Sequence, residues 1–208
     1  MSTQDAVAFW NDVYAARPVN EDPRPNVRLV EAVAGLEPGD VLDLGCGEGG
    51  DALWLAAEGW QVTSVDISAV AVERLASLAR ARGLGDRVDA VQHDLAAAFP
   101  SGTYDLISAQ FLHTPRPLDR PAVLRSAAHA LRPGGRLLIV DHGSTAPWSW
   151  NQDPTIHYPS PHEVADAIAL TPETWTIERA EVLRRLATGP EGQTAEVVDH
   201  VLVVRRAG

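Results

Sequence analysis

Lysine is absent from this 208-residue chain: all 17 of its basic residues are arginine. That excludes a lysine base and any lysine Schiff base. Cysteine occurs once, at Cys46, so no disulfide can form within the chain. No apolar run approaches the ~20 residues that a membrane-spanning helix needs. The start, MSTQDAVAFW, is polar and acidic where a secretory signal has a charged and then an apolar stretch. Positive charge is also scarce, since 28 acids outweigh the arginines and leave a formal net charge of −11 at pH 7. Such a surface grips a phosphate backbone poorly. The expectation is a cytoplasmic protein, monomer or homodimer, with no nucleic-acid or membrane partner.

Apolar residues make up 45% of the chain, enough for a substantial core in one domain. From residue 41 onward the pattern alternates strand and helix. Apolar runs at 41–44, 61–67, 88–94, 104–112 and 136–143 predict five strands. Helices are expected at 68–83, capped by Ser68, and at 118–135, stopped by Pro133 and two glycines. Ser160-Pro161-His162-Glu163 has the form of a capping box with proline at the first helical position. Residues 175–186 and 195–206 alternate as strands around a turn-rich connector, ATGPEGQT. Such alternation predicts an α/β doubly wound sheet with a terminal hairpin that adds an antiparallel strand at one edge. The first forty residues read as a helical cap, with a helix near Asp5–Ala16 and a proline-rich linker over 17–25. Residues 41–143 then form a ligand-binding core, and 144–208 a substrate loop and the hairpin.

The stretch VLDLGCGEGG, Val41 to Gly50, is a buried strand that breaks into glycines before a helix. Gly45, Gly47 and Gly50 fit the G-x-G-x-x-G spacing of dinucleotide sites. A buried acid, Asp43, ends the strand. A buried carboxylate needs a partner, and a cationic ligand amine would serve. Further acids fall at later strand ends, where ligands of such sheets sit: Asp66, 21 residues after Gly45, then Asp94, with Gln110 after the fourth strand and Asp141 after the fifth.

Asp43-Leu44-Gly45-Cys46-Gly47-Glu48-Gly49 resembles the first motif, (D/E)-x-G-x-G-x-G, of the class I S-adenosylmethionine-dependent methyltransferases. Arg132-Pro133-Gly134-Gly135 is similar to that family's late motif. The resemblance implies a Rossmann-like sheet of seven strands, order 3-2-1-4-5-7-6, with the last strand antiparallel, over a single domain of residues 1–208. It implies S-adenosylmethionine as cofactor and a methyl group transferred to a small molecule. Asp43, Gly45 and Gly47, with Cys46 in the same turn, would line the methionine part. Asp66 would hold the ribose hydroxyls, Ile67 would lie against the adenine, and Asp94 and the Leu95 backbone would meet its amino group. Gln110 would face the methionine end and the acceptor. Phe9-Trp10-Asn11-Asp12-x-Tyr14 resembles the start of small bacterial methyltransferases of the tellurite-resistance and thiopurine kind, in which Trp10 and Tyr14 would fold over the cofactor. Gly189-Pro190-Glu191-Gly192-Gln193 is similar to the tellurite-resistance type.

Thiolate acceptors need little base catalysis, whereas oxygen and nitrogen acceptors need a proton acceptor. His113 and His142 follow strands whose ends face the site and are the candidate bases. No metal is expected. The loop over 144–160, with Trp148, Trp150, His157 and Tyr158, is expected to build the acceptor pocket. The AQFLH segment after strand four lacks the (D/N)-P-P-(Y/F) motif of adenine- and glutamine-directed enzymes, and one cysteine cannot supply the usual arsenite-binding set. Two other readings stand beside this one: a nicotinamide-dependent oxidoreductase using the same glycines, and a non-catalytic S-adenosylmethionine-binding module.

Overall fold

A computed structural model describes residues 3–149 and 151–208; Trp150 lies outside the described residues. Seven strands form one sheet: β1 (Asp40–Leu44), β2 (Gln61–Asp66), β3 (Val88–Gln92), β4 (Tyr104–Gln110), β5 (Leu131–His142), β6 (Trp175–Thr188) and β7 (Thr194–Arg206). Their order is β3-β2-β1-β4-β5-β7-β6. Strands β1 to β5 pair in parallel, and β7 is antiparallel to both β5 and β6. The order is the expected one, but the antiparallel strand is not at the edge. β7 slots between β5 and β6, because the hairpin folds back onto β5 and leaves β6 outermost.

Alternation along each strand sends side chains to opposite faces. Val41, Val62, Leu106 and Leu138 pack beneath α2 (Val27–Val33), α3 (Gly50–Ala57) and α4 (Ala69–Ala81). Leu42, Val65, Ile107 and Leu137 pack beneath α5 (Arg120–His129) and α6 (Pro161–Ile168). Each fully buried leucine or isoleucine on these faces contributes about 1.5–3 kcal/mol. The remaining helix, α1 (Thr3–Ala15), packs on α4 over the C-terminal ends of the strands.

Three local departures have physical causes. Helix α2 was not expected within the proline-rich start; Asn26 caps it by accepting from the Arg28 amide at 2.9 Å. Helix α5 ends at His129, not at 135, because Leu131 already pairs with Tyr104 and the ladder then bulges before Leu106 pairs with Arg136. The Arg132–Gly135 motif is therefore part of strand β5. A Cβ on Gly135 would stand 2.9–3.1 Å from the carbonyl oxygens of Arg132, Tyr104 and Asp105, so only glycine fits. Arg132 fastens the bulge by pairing with both Asp40 and Asp105 at 2.6 Å. Strand β4 stops at Gln110, not at 112, because Phe111 adopts a φ of +50° and turns the chain away.

Candidate active site

At the C-terminal ends of β1, β2, β3 and β4 lies a cavity of about 270 Å³. Its floor is Gly45, Asp66 and Ile67, and one wall is His93, Asp94 and Leu95. The opposite wall is the chain after β4, from Phe111 to Leu118, and α1 closes the top with Ala6, Trp10 and Tyr14. Helix α1 is held there by polar ties: Trp10 Nε1 donates to Thr114 Oγ1 at 3.2 Å, and Ser68 Oγ donates to Asn11 Oδ1 at 2.9 Å.

The glycine turn is shaped by backbone conformation. Gly45, Gly47 and Gly49 have φ of +75°, +52° and +82°, a region that side chains rarely adopt. Gly50 does not; a Cβ there would collide with the Arg24 carbonyl. The turn amides are already engaged: Gly45 and Cys46 donate to the Val65 carbonyl, and Gly47 donates to Asp66 Oδ2 at 3.0 Å. Asp66 also accepts from the Ser68 amide at 2.9 Å. Burial pushes its carboxyl above the ordinary range despite these bonds.

Asp43 sits beneath the turn, 2% exposed, with one 3.3 Å hydrogen bond from Ser64 Oγ. Burial, and then the nearby acids Asp51 and Asp66, push its carboxyl up to about 8. Burial likewise raises the Cys46 thiol, so it is an inert packing group. Asp94 Oδ1 accepts from the Ala96 amide at 2.9 Å, whereas Oδ2 is buried with no hydrogen-bond partner. Burial and Asp66 raise the Tyr14 phenol, whose oxygen lies 3.1 Å from where a Gly47 Cβ would be.

The structure thus brings Trp10, Tyr14, Gly45, Asp66, Ile67, Asp94, Leu95 and His113 together around one cavity. Asp43, Cys46 and Gly47 lie behind the floor and do not line it. Gln110 does not line it either: its amide donates to Ser108 Oγ at 2.9 Å, and its Oε1 is buried without a partner. The His142 ring stacks on Phe111 at 4.3 Å, outside the cavity lining, and desolvation followed by His113 lowers its pKa.

The loop over 144–160 contributes nothing to this cavity among its described residues. Trp148 packs on the β6–β7 turn at Gly189, Tyr158 hydrogen-bonds Thr145 at 2.7 Å, and His157 lies 3.1 Å from Glu163. Trp148 and Tyr158 order the loop, and the wall comes from residues 111–118 instead. Nothing in the periodicity of FLHTPRPL marks it as a wall; the proline pair and the polar His-Thr were the available signals. Among the described residues, no group of three or more His, Cys, Asp or Glu side chains is placed to hold a metal ion.

Residues 41–135 match a family described as a methyltransferase domain. Residues 41–135 are thus a methyltransferase domain, of the class I S-adenosylmethionine-dependent kind. The chain is 36% identical over 141 residues to methyltransferase GfsG of Streptomyces halstedii, covering 64% of this chain and 49% of that protein. It is 33% identical over 194 residues to nocamycin O-methyltransferase of Saccharothrix syringae, covering 90% of this chain and 60% of that one. The chain thus spans about half the length of the curated relatives it matches. A solved structure from work on conversion of a disulfide bond into a thioacetal group during echinomycin biosynthesis superimposes with a TM-score of 0.72 and 28% identity, covering 97% and 93% of the two chains. TehB of Haemophilus influenzae shares the fold, with a TM-score of 0.64 at 22% identity over 88% of this chain and 62% of TehB.

Proposed function

We propose that this methyltransferase moves the methyl group of S-adenosylmethionine to a small-molecule acceptor. The observation that carries the reading is the pair of acids on the cavity, Asp66 on its floor and Asp94 with a buried, unpartnered Oδ2 on its wall. A buried acceptor without a donor is costly, and a ligand amino group would relieve it. The residues fit the cofactor. Asp66 is placed to accept from ribose hydroxyls, Ile67 and Leu95 offer apolar faces to a purine, and Asp94 accepts from its amino group. Asp43, raised by burial, would ionise behind the glycine turn and act on the ligand's ammonium group through it. Trp10 and Tyr14 close the cavity and exclude water.

When bound, the cofactor supplies a methyl carbon on a positively charged sulfur, already activated toward nucleophiles. What the protein adds is position and a dry, charged surround. The name of one relative, nocamycin O-methyltransferase, favours a small-molecule acceptor. Residues 1–208 are read as one domain acting as monomer or homodimer in the cytoplasm. Among the described residues no helix is long and apolar enough to cross a membrane.

Calorimetric titration with S-adenosylmethionine and S-adenosylhomocysteine, with NAD and NADP as controls, tests the reading. Micromolar binding of the first pair is expected, weakened at least about 10-fold in Asp66→Ala, which removes charge-assisted hydrogen bonds worth about 1.5–3 kcal/mol. Tighter binding of a nicotinamide dinucleotide would overturn it in favour of an oxidoreductase. Cofactor binding without methyl transfer to any small molecule would favour a binding module.

A further inference from the structure

Pairing of β7 with β5 ends where Asp199 stands opposite His142, but β6 and β7 stay paired as far as Thr188 and Thr194. The hairpin therefore overshoots the C-terminal end of β5, the end of the sheet at which the cavity lies. Arg185 stands on this overshoot, two residues beyond Leu183, which is itself paired with Asp199. Cross-strand partners and residues two apart share a face, so His142, Asp199, Leu183 and Arg185 all point to the side covered by α2.

Arg185 reaches back over β7 and donates through Nε to Asp199 Oδ2 at 2.8 Å; Arg28 holds the same oxygen from α2 at 3.1 Å. Asp199 is 0% exposed, so the anchor is rigid. The Arg28 guanidinium is fully engaged, because its other nitrogens donate to Glu31 and to the Arg184 carbonyl. The Arg185 guanidinium is not. Among the described residues its Nη1 and Nη2 make no hydrogen bond, and its side chain is 30% exposed. A guanidinium fixed through one nitrogen on a buried acid presents the other two as a preset fork, the geometry that matches a carboxylate.

His142 stands between this fork and the cavity. It is exposed, its ring stacks on the cavity-lining Phe111 at 4.3 Å, and the His113 ring lies 5.9 Å away. Desolvation and then His113 lower its pKa, so at pH 7 it is a neutral N–H donor. Other charges nearby are matched: Asp141, on the opposite face, is held by Arg120 at 2.6 Å and lies 3.2 Å from His113, and Arg184 pairs with Glu196 at 2.6 Å. One open fork and one neutral N–H suit a monoanion.

We propose that Arg185 and His142 dock a carboxylate of the methyl acceptor, whose nucleophile enters the cavity past Phe111. The proposal rests on the methyltransferase reading above. β5 and β6 are two strand spacings apart, about 10 Å, so the carboxylate and the nucleophile sit at opposite ends of the acceptor. Arg185 and His142 are specificity-determining residues: they select and orient the acceptor and leave the reacting atoms to the cavity.

Two readouts on the full chain test this. The first needs no turnover. The S-adenosylhomocysteine complex is titrated with benzoate, phenylacetate and 3-phenylpropanoate, and with the methyl ester of each, while the ¹⁵N resonances of Arg185 Nε and of His142 are followed. Saturable shifts at both residues are expected with at least one carboxylate and with none of the esters. Arg185→Gln should weaken that carboxylate at least about 10-fold, the loss of a charge-assisted fork. His142→Phe, which keeps a ring on Phe111, should weaken it about 3-fold or more. S-adenosylhomocysteine affinity should change less than about 3-fold in either variant. Arg185→Gln leaves Asp199 to Arg28 alone; if that variant does not fold, His142→Phe carries the comparison. No saturable shift at Arg185, equal binding of the esters, tighter binding of phenyl phosphate than of every carboxylate, or unchanged carboxylate binding in a folded variant overturns the proposal. The second readout is methyl transfer from S-adenosylmethionine to mercapto, hydroxy and amino derivatives of the same acids, each against its methyl ester. The acids should show the higher kcat/KM, and Arg185→Gln should raise their KM and erase the preference, which a loss of packing alone would not do. Esters methylated as well as the acids, or no derivative methylated, overturns the acceptor class while cofactor binding stands. Failure of the unsubstituted protein to bind S-adenosylhomocysteine is a different result and removes the methyltransferase reading itself.

Discussion

Asp43 is a fully enclosed carboxyl with a single hydroxyl partner, and its pKa of about 8 means that it stays protonated at neutral pH in the ligand-free fold. The unfolded chain ionises the same group near 4. The folded state therefore holds an extra proton between those values, and stability falls as pH rises from about 4 to about 8. Asp43→Asn removes the titration while keeping a polar group of similar shape. The variant should unfold at a higher temperature than the parent at pH 8, by about 1–3 kcal/mol of stability, with little difference at pH 4. Thermal unfolding across that range checks it; a gain that does not depend on pH would mean that Asp43 is ionised in the fold already. The same substitution should weaken S-adenosylmethionine binding, since the negative charge behind the glycine turn is lost. Stability and binding are then opposed at one carboxyl, the usual sign of a residue kept for its ligand.

At the scale of the element, the local codes differ in how far they reach. The capping box before α6 was readable because all of its parts lie within four residues: Ser160 Oγ accepts from the Glu163 amide at 3.2 Å, and the Glu163 carboxylate accepts from the Ser160 amide at 2.8 Å. Ser160→Ala should cost about 0.5–2 kcal/mol, measured by urea unfolding. The β5 bulge was not readable, although its residues were noticed. Pro133 and the two glycines look like a helix stop, and they become a strand only because Leu131 finds Tyr104 and Arg132 finds Asp40 and Asp105. Gly135→Ala should cost more than the cap, about 1–3 kcal/mol, because three backbone oxygens must move to admit one methyl. Helix α2 escaped notice for the same reason. Its Arg28 is anchored on Asp199, which is 171 residues away and also pairs with Arg185.

For the whole molecule, the parallel sheet and its terminal hairpin followed from the strand–helix rhythm, the strand order came with the family resemblance, and strand-end acids were found because such sheets present their ligand sites there. Asp66, Asp94 and His113 gather on one cavity for that reason. What stayed hidden were contacts set by chain geometry: the Phe111 turn that makes residues 111–118 the wall, and the Arg120–Asp141 pair across β5 and α5. The placement of α1 over the cofactor site came with the family resemblance, and the contacts that hold it there belong to this class. Trp10 and Tyr14 were legible as one helix face, but the fact that this face roofs the cavity depends on Asn11 meeting Ser68 and Trp10 meeting Thr114. Because the inner face of α1 meets a cavity, a ligand there should stabilise it along with the fold. S-adenosylhomocysteine at 100 times its Kd should add about 2.7 kcal/mol to global stability by mass action. In the same sample, amides of α1 should gain hydrogen-exchange protection, because opening that helix would first require the ligand to leave. Trp10→Ala should cut both gains by weakening the roof. If instead α1 exchanges equally fast with and without ligand, the helix is a packing element on α4, and the cavity stays open at the top during turnover.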